Sequence, residues 1–278
     1  MTSKNEHWQG KIALITGGSS GIGFAVARSL ADHGAQVWLI ARREEQLRSA
    51  LETISCETEG HCGTISADVS DWEQVAAAVA QVEQEVGLPD LVVNSAGVVQ
   101  PGYFQDLDLD VFRWMMDINY YGTLHMCKAV VPGMIARGSG HIVNISSLAG
   151  LVGVFGYTAY GASKFAVSGF TDTLRSELKP LGIGVSIVYP VDTDTPQLAY
   201  ENEYKPPETK AIGGTANVMS PEEVAQSILH NVERGRYMIL PGFDGKLLYW
   251  VSRLLGSGVY PVMDWLVRRA QRQNQHGE

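Results

Sequence analysis

Cysteine is scarce: Cys56, Cys62 and Cys127 are the only three in 278 residues, and no two are spaced as a Cys-x-x-Cys pair. That excludes a disulfide framework, and reads as reduced thiols in a cytosolic protein. Positive charge is also short, with 21 Lys and Arg against 30 Asp and Glu and a net charge of -9. Such a balance argues against nucleic acid as a general partner. The opening MTSKNEHWQGK lacks the apolar run of a signal peptide. His7, His33, His61, His125, His141, His230 and His276 have no ligand spacing, so no metal is expected. Internal repeats and low-complexity linkers are absent as well. What is present is 45% hydrophobic and 18% charged residues, the composition of a globular chain with a sizeable core.

The apolar runs alternate with helical periodicity. Lys11 to Thr16 reads as a buried strand opening onto Gly17-Gly18-Ser19-Ser20-Gly21-Ile22-Gly23, and a helix follows from about Ile22 to His33. A strand, a glycine-rich turn and a helix amino terminus form an anion site, because backbone N–H groups and the helix dipole face a phosphate. The position points to a dinucleotide. Ala35 to Ile40 is the second strand, and Ala41-Arg42-Arg43 follows where an NAD site usually carries an acid for the ribose 2′-hydroxyl. A guanidinium there suits a 2′-phosphate, so NADP(H) is expected, with Arg42 and then Arg43 as ligands. The alternative is an exposed basic start to the next helix.

A third strand, Gly63 to Ala67, ends at Asp68-Val69, where the adenine would lie. A helix from about Asp71 to Val86 and a strand at Leu91 to Val93 lead into Asn94-Ser95-Ala96-Gly97, small residues over which a cofactor can lie. A helical stretch from about Asp108 to Ala136 contains Asn119. Strands at His141 to Ile145 and Ile183 to Tyr189, a helix at Pro221 to Glu233 and a strand at Tyr237 to Leu240 complete the alternation. It predicts an α/β fold: one Rossmann-type, doubly wound parallel sheet of about seven strands flanked by helices.

Between the fifth and sixth strands lies Tyr160-Gly161-Ala162-Ser163-Lys164. Four residues is about one helical turn, so phenol and ammonium share a face. A free tyrosine titrates near 10, and an adjacent cation would lower that value and make the phenol a usable general acid or base. Taken together, Thr16-Gly17-x-x-x-Gly21-x-Gly23, Asn94-Ser95-Ala96-Gly97, Asn119, Ser147 and Tyr160-x-x-x-Lys164 resemble the short-chain dehydrogenase/reductase family in order and spacing over about residues 10 to 242. Ser95 departs slightly, since the family often has alanine or cysteine there.

The resemblance implies that Tyr160 donates a proton in ketone reduction and that Lys164 lowers its pKa and holds the nicotinamide ribose. It further implies that Ser147 donates to the substrate carbonyl, and that Asn119 holds a water linking Lys164 to solvent. Pro190, Thr193 and Thr195 would clasp the nicotinamide carboxamide. A homodimer or homotetramer on the Asn119 and Tyr160 helices is also implied. For Ser147 alone, the other reading is a helix-cap or turn serine.

The run from Pro190 to Lys210, PVDTDTPQLAYENEYKPPETK, reads as a long polar loop, a substrate lid extending to about residue 220. It is similar to the same stretch of the 3-ketosphinganine reductases within the family. That similarity implies a long-chain lipid ketone substrate, with Val98, Val99, Val152, Val154 and Phe155 flanking an apolar trough. Asp192, Asp194, Glu201 and Glu203 are candidates to meet the substrate's ammonium, or solvated loop acids. The alternatives are another ketone, such as a 3-oxoacyl thioester or a steroid, and a non-catalytic NADPH-binding regulator.

Residues 1–243 are read as the reductase domain and 244–278 as an apolar, basic extension. From Gly245 onward Lys246, Arg253, Arg268, Arg269 and Arg272 stand against Asp264 and Glu278. Arg253, Gly256, Gly258, Pro261 and Asp264 interrupt its apolar runs, so it is a poor membrane span. Two readings remain for it: a helix on a membrane surface, which would make a cytoplasmic protein peripheral to that membrane, or a helix packed on the substrate pocket or a subunit interface.

Overall fold

The computed structural model describes residues 7–57, 62–213 and 217–275. Seven parallel strands form one sheet in the order β3-β2-β1-β4-β5-β6-β7. They are β1 (Ile12–Thr16), β2 (Gln36–Ala41), β3 (Cys62–Ser66), β4 (Leu91–Asn94), β5 (Gly140–Ile145), β6 (Ile183–Val188) and β7 (Met238–Ile239). Because strand side chains alternate, Ala13 and Ile15 of β1 enter one core while Leu14 enters the other. The first core lies under α1 (Gly21–Asp32), α2 (Glu44–Glu57) and α9 (Pro221–Glu233), the second under α3 (Trp72–Glu85), α5 (Gly122–Arg137) and α6 (Thr158–Leu178). Burial on both faces explains why these strands read as continuous apolar runs. The order reverses between β1 and β4, so the crevice beyond their carboxyl ends is the place for a ligand.

Helical content differs from the sequence reading in two places. The stretch carrying Asn119 is α4 (Leu109–Met115), a wider π turn (Met116–Tyr121) and then α5. The expected lid loop contains two helices, α7 (Pro196–Tyr204) and α8 (Pro207–Gly213), while residues 214–216 of it lie outside the described residues. The Thr195 hydroxyl accepts from Leu198 N at 3.2 Å, and Pro196 occupies the first turn, where its missing N–H costs nothing. The tail, helical in both of its sequence readings, folds into α10 (Gly242–Leu255) and α11 (Val259–Gln275), and the boundary drawn at 243/244 lies within α10. Among the described residues no helix is long and apolar enough to cross a membrane.

Candidate active site

A cavity of about 560 Å³ runs along the carboxyl ends of the strands, from the glycine turn to α11. Its first wall is the turn after β1. Gly17 has φ +65°, and a Cβ there would meet Ala96 N at 2.8 Å, so only glycine lets the turn approach the loop after β4. Thr16 Oγ1 accepts from Ser95 N and Ala96 N, each at 3.1 Å, and ties the two loops together. Ser20 caps α1 with no side-chain hydrogen bond, and the first turn carries no acid. The N–H end of a 12-residue helix is therefore open to an anion.

Gly17, Ser19, Ser20, Gly21 and Ile22 line the cavity. Arg42, Arg43, Asp68 and Val69 close the same end, with Arg42 Nη1 3.7 Å from Asp68 Oδ2. Ala96 and Gly97 form the floor, and Pro190, Thr193 and Thr195 the far side. A turn in which Gly17 and Gly21 take positive φ, an unblocked helix end and two arginines at the end of β2 fit a nicotinamide dinucleotide.

Three expected site residues stand behind the wall instead of in it. Gly23 is packing: a Cβ there would meet Gly17 O at 2.6 Å. Asn94 turns into the sheet, donating from Nδ2 to Asn144 Oδ1 at 2.8 Å, and Asn144 donates onward to Thr171 Oγ1 at 2.9 Å. Asn119, on the π turn, clamps the loop after β4: Val98 N donates to its Oδ1 at 2.8 Å, and its Nδ2 donates to Val98 O and Ser163 Oγ at 3.0 and 2.9 Å.

Ser147, Tyr160 and Lys164 do converge on the cavity. The Ser147 hydroxyl accepts from Ala149 N at 3.2 Å, so this residue is both a turn cap and a pocket group. Lys164 Nζ donates to Ile145 O at 3.0 Å and lies 5.7 Å from the Tyr160 ring centroid. Burial brings the lysine down to about 8. Tyr160 departs from the expected direction. Burial, and then the charge of Glu201, push its phenol above the ordinary value, while a hydrogen bond with Ser147 pulls it back. One helical turn of spacing provides proximity to a cation; enclosure at 7% exposure outweighs it.

Further lining residues come from elements the sequence reading did not join to the site. Val98, Val152 and Val154 line the apolar end, whereas Val99 and Phe155 do not. Ile212 of α8, Leu248 of α10, and Met263 and Leu266 of α11 complete it. Glu201 and Lys205 face the cavity from α7 and its end, but Asp194 and Glu203 are exposed outside it. The inward spacing of Met263 and Leu266 was legible as periodicity; their direction was not. Cys62 and Cys127 are free thiols, Cys127 buried and pushed up to about 12 by burial, and the side chain of Cys56 lies outside the described residues.

A family model described as short chain dehydrogenase matches residues 11–206. The 3-dehydrosphinganine reductase of Danio rerio is 40% identical over 257 residues, 91% of this chain and 76% of that protein. The 3-ketodihydrosphingosine reductase of Dictyostelium discoideum is 42% identical over 276 residues, 93% of this chain and 83% of its own length. Among solved structures, a short chain dehydrogenase/reductase from Burkholderia phymatum in complex with NAD superposes with a TM-score of 0.76 at 26% identity, covering 84% of this chain and 89% of that one. L-sorbose reductase from Gluconobacter frateurii, complexed with NADPH and L-sorbose, gives 0.73 at 27% identity, covering 84% and 96%.

Proposed function

Because the chain belongs to the short-chain dehydrogenase family, whose chemistry is the interconversion of CH–OH and C=O groups with a nicotinamide cofactor, we propose that it reduces the ketone of 3-ketosphinganine to sphinganine with NADPH, a step of sphingolipid synthesis. The observation that carries this is the single cavity in which Ser147, Tyr160 and Lys164 stand between an anion-binding turn and an apolar end. When bound, NADPH supplies the hydride. Arg42 and Arg43, with Ala41 in place of an acid, support the phosphorylated cofactor.

In this reading Tyr160 holds a proton at Oη and releases it to the ketone oxygen as charge develops there. Ser147 donates a hydrogen bond to the same oxygen, stabilising the alkoxide character. Lys164 fixes the cofactor ribose and supplies positive charge behind the phenol. Asn119 acts at one remove, by holding the loop at Val98 and the Ser163 hydroxyl.

The alkyl chain lies along Val152, Val154, Ile212, Leu248, Met263 and Leu266, where each buried methylene contributes about 0.8 kcal/mol. The outer faces of the same tail helices leave Phe243, Trp250, Leu254, Tyr260 and Trp265 exposed beside Lys246, Arg253, Arg268, Arg269 and Arg272. That pattern supports contact with an anionic membrane surface, from which a lipid substrate is drawn; the protein would be cytoplasmic and peripheral there. Exposed Tyr121, Ile135 and Phe165 on the π turn, α5 and α6 support a homodimer or homotetramer through those helices.

The test is a substrate panel with purified protein, following NADPH and NADH oxidation and identifying the product by mass spectrometry. Conversion of 3-ketosphinganine to sphinganine with NADPH is expected. Efficient reduction of 3-oxoacyl thioesters, with 3-ketosphinganine left untouched, would replace this reading with a reductase of another ketone.

A further inference from the structure

Among the described residues, Glu201 is the one acidic residue of the cavity wall that is buried, at 8% exposure. It is held firmly on one side only. The Tyr157 hydroxyl donates to Oε1, and the closest approach of Lys205 Nζ, at 3.0 Å, falls on that same oxygen. Oε2 takes no hydrogen bond among the described residues. Lys205 also reaches Asp192 Oδ2 at 3.5 Å, so two carboxylates share one ammonium and their formal charges leave an excess of one negative. Solvent carries part of that excess at Asp192, and the rest falls on the buried Glu201, where a further cation would complete the set.

The position is tied to the chemistry. The Tyr157 and Tyr160 rings are 5.8 Å apart, centroid to centroid, which sets the Glu201 carboxylate beside the proton donor. Of the charges acting on the Tyr160 phenol, that of Glu201 is the largest and that of Asp192 the next, and both hold its proton in place. Asp192 is the more open partner, its side chain 44% exposed.

We propose that Glu201 Oε2 receives a primary ammonium on the carbon next to the ketone, making Glu201 the residue that selects amino ketones over plain ketones. The proposal rests on the reading of this chain as a reductase of a long-chain 2-amino-3-oxo alcohol. On this reading a ketone whose oxygen is held by Ser147 and Tyr160 turns its amino-bearing α-carbon toward Glu201, which lines the same cavity. The seated ammonium balances the carboxylates and screens them from Tyr160, so the proton is released more readily. An N-acylated substrate carries no charge and loses both effects.

The experiment compares 3-ketosphinganine, its des-amino counterpart and its N-acetyl derivative as substrates of the wild type and of Glu201→Gln. NADPH fluorescence titration and thermal melting verify that the variant is folded and loaded. Hydrogen bonds to charged groups contribute about 1.5–3 kcal/mol, so the wild type should favour the amine by about 10- to 150-fold in kcat/KM. Glu201→Gln should erase most of that preference, and Glu201→Asp, which keeps the charge, should restore part of it.

Equal kcat/KM for the amino and des-amino ketones in the wild type would overturn the assignment while leaving a long-chain reductase in place, whether or not the variant folds. So would a Glu201→Gln enzyme that keeps the preference, or loses activity on both ketones in equal measure. A wild type that reduces neither long-chain ketone would instead sink the functional reading, and this proposal with it.

Discussion

At the scale of single residues, enclosure decides what Lys164 and Tyr160 can do. Lys164 titrates near 8 in the fold against 10.5 for the unperturbed side chain, because burial disfavours its charge. Between those values the unfolded chain binds more protons than the native one, so this group's contribution to stability rises with pH. The gain is up to about 3 kcal/mol from below 8 to above 10.5. Melting of the wild type and of Lys164→Met at pH 7.5 and 10 should therefore show the wild type gaining on the variant; a constant gap would contradict the shift. On the proposed mechanism Tyr160→Phe removes only the proton donor, so cofactor titration should remain normal while turnover drops about 10²–10⁴-fold. Near-normal turnover would move the donor elsewhere. Arg42 pairs with Asp68 at 3.7 Å but keeps a side chain 56% exposed at the cofactor end. Arg42→Ala should weaken NADPH much more than NADH, and equal losses in fluorescence titrations would make Arg42 a structural partner of Asp68.

Elements act here through what they carry on their two faces. The π turn carries Asn119, from which it clamps Val98 of the neighbouring loop. The capped α7 converts what reads as polar loop into a helix that carries Glu201 and ends at Lys205. Helix α11 packs on α8 and sends Met263 and Leu266 into the cavity, while Tyr260 and Trp265 stay exposed. Removing residues 256–278 should therefore flatten the dependence of kcat/KM on alkyl length across a series of 2-amino-3-ketones. Each methylene contacting that wall is worth about 0.8 kcal/mol. A truncated protein that still binds NADPH, melts cooperatively and keeps the full chain-length dependence would place the alkyl chain against other walls.

Over the whole molecule, a net charge of -9 coexists with a tail whose basic residues outnumber its acids. Vesicle co-sedimentation should be stronger with anionic than with neutral lipid and should weaken as salt shortens the screening length from about 10 Å at 0.1 M. Binding that is indifferent to lipid charge would leave only the apolar face as the contact. The parallel sheet, the glycine-rich turn and the Tyr160–Lys164 pair were legible in the chain because each is local: a run of apolar residues, glycines after a strand, two side chains one turn apart. Asn94, Gly23 and Asn119 were legible as members of motifs but not as supports behind the wall, since that depends on Asn144, Gly17 and Val98 arriving from other segments. The direction in which Tyr160 is shifted, the inward face of α11 and the half-paired carboxylate of Glu201 belong wholly to the tertiary structure. Burial and electrostatic proximity are sums over neighbours distant in sequence, and no local pattern of residues contains them.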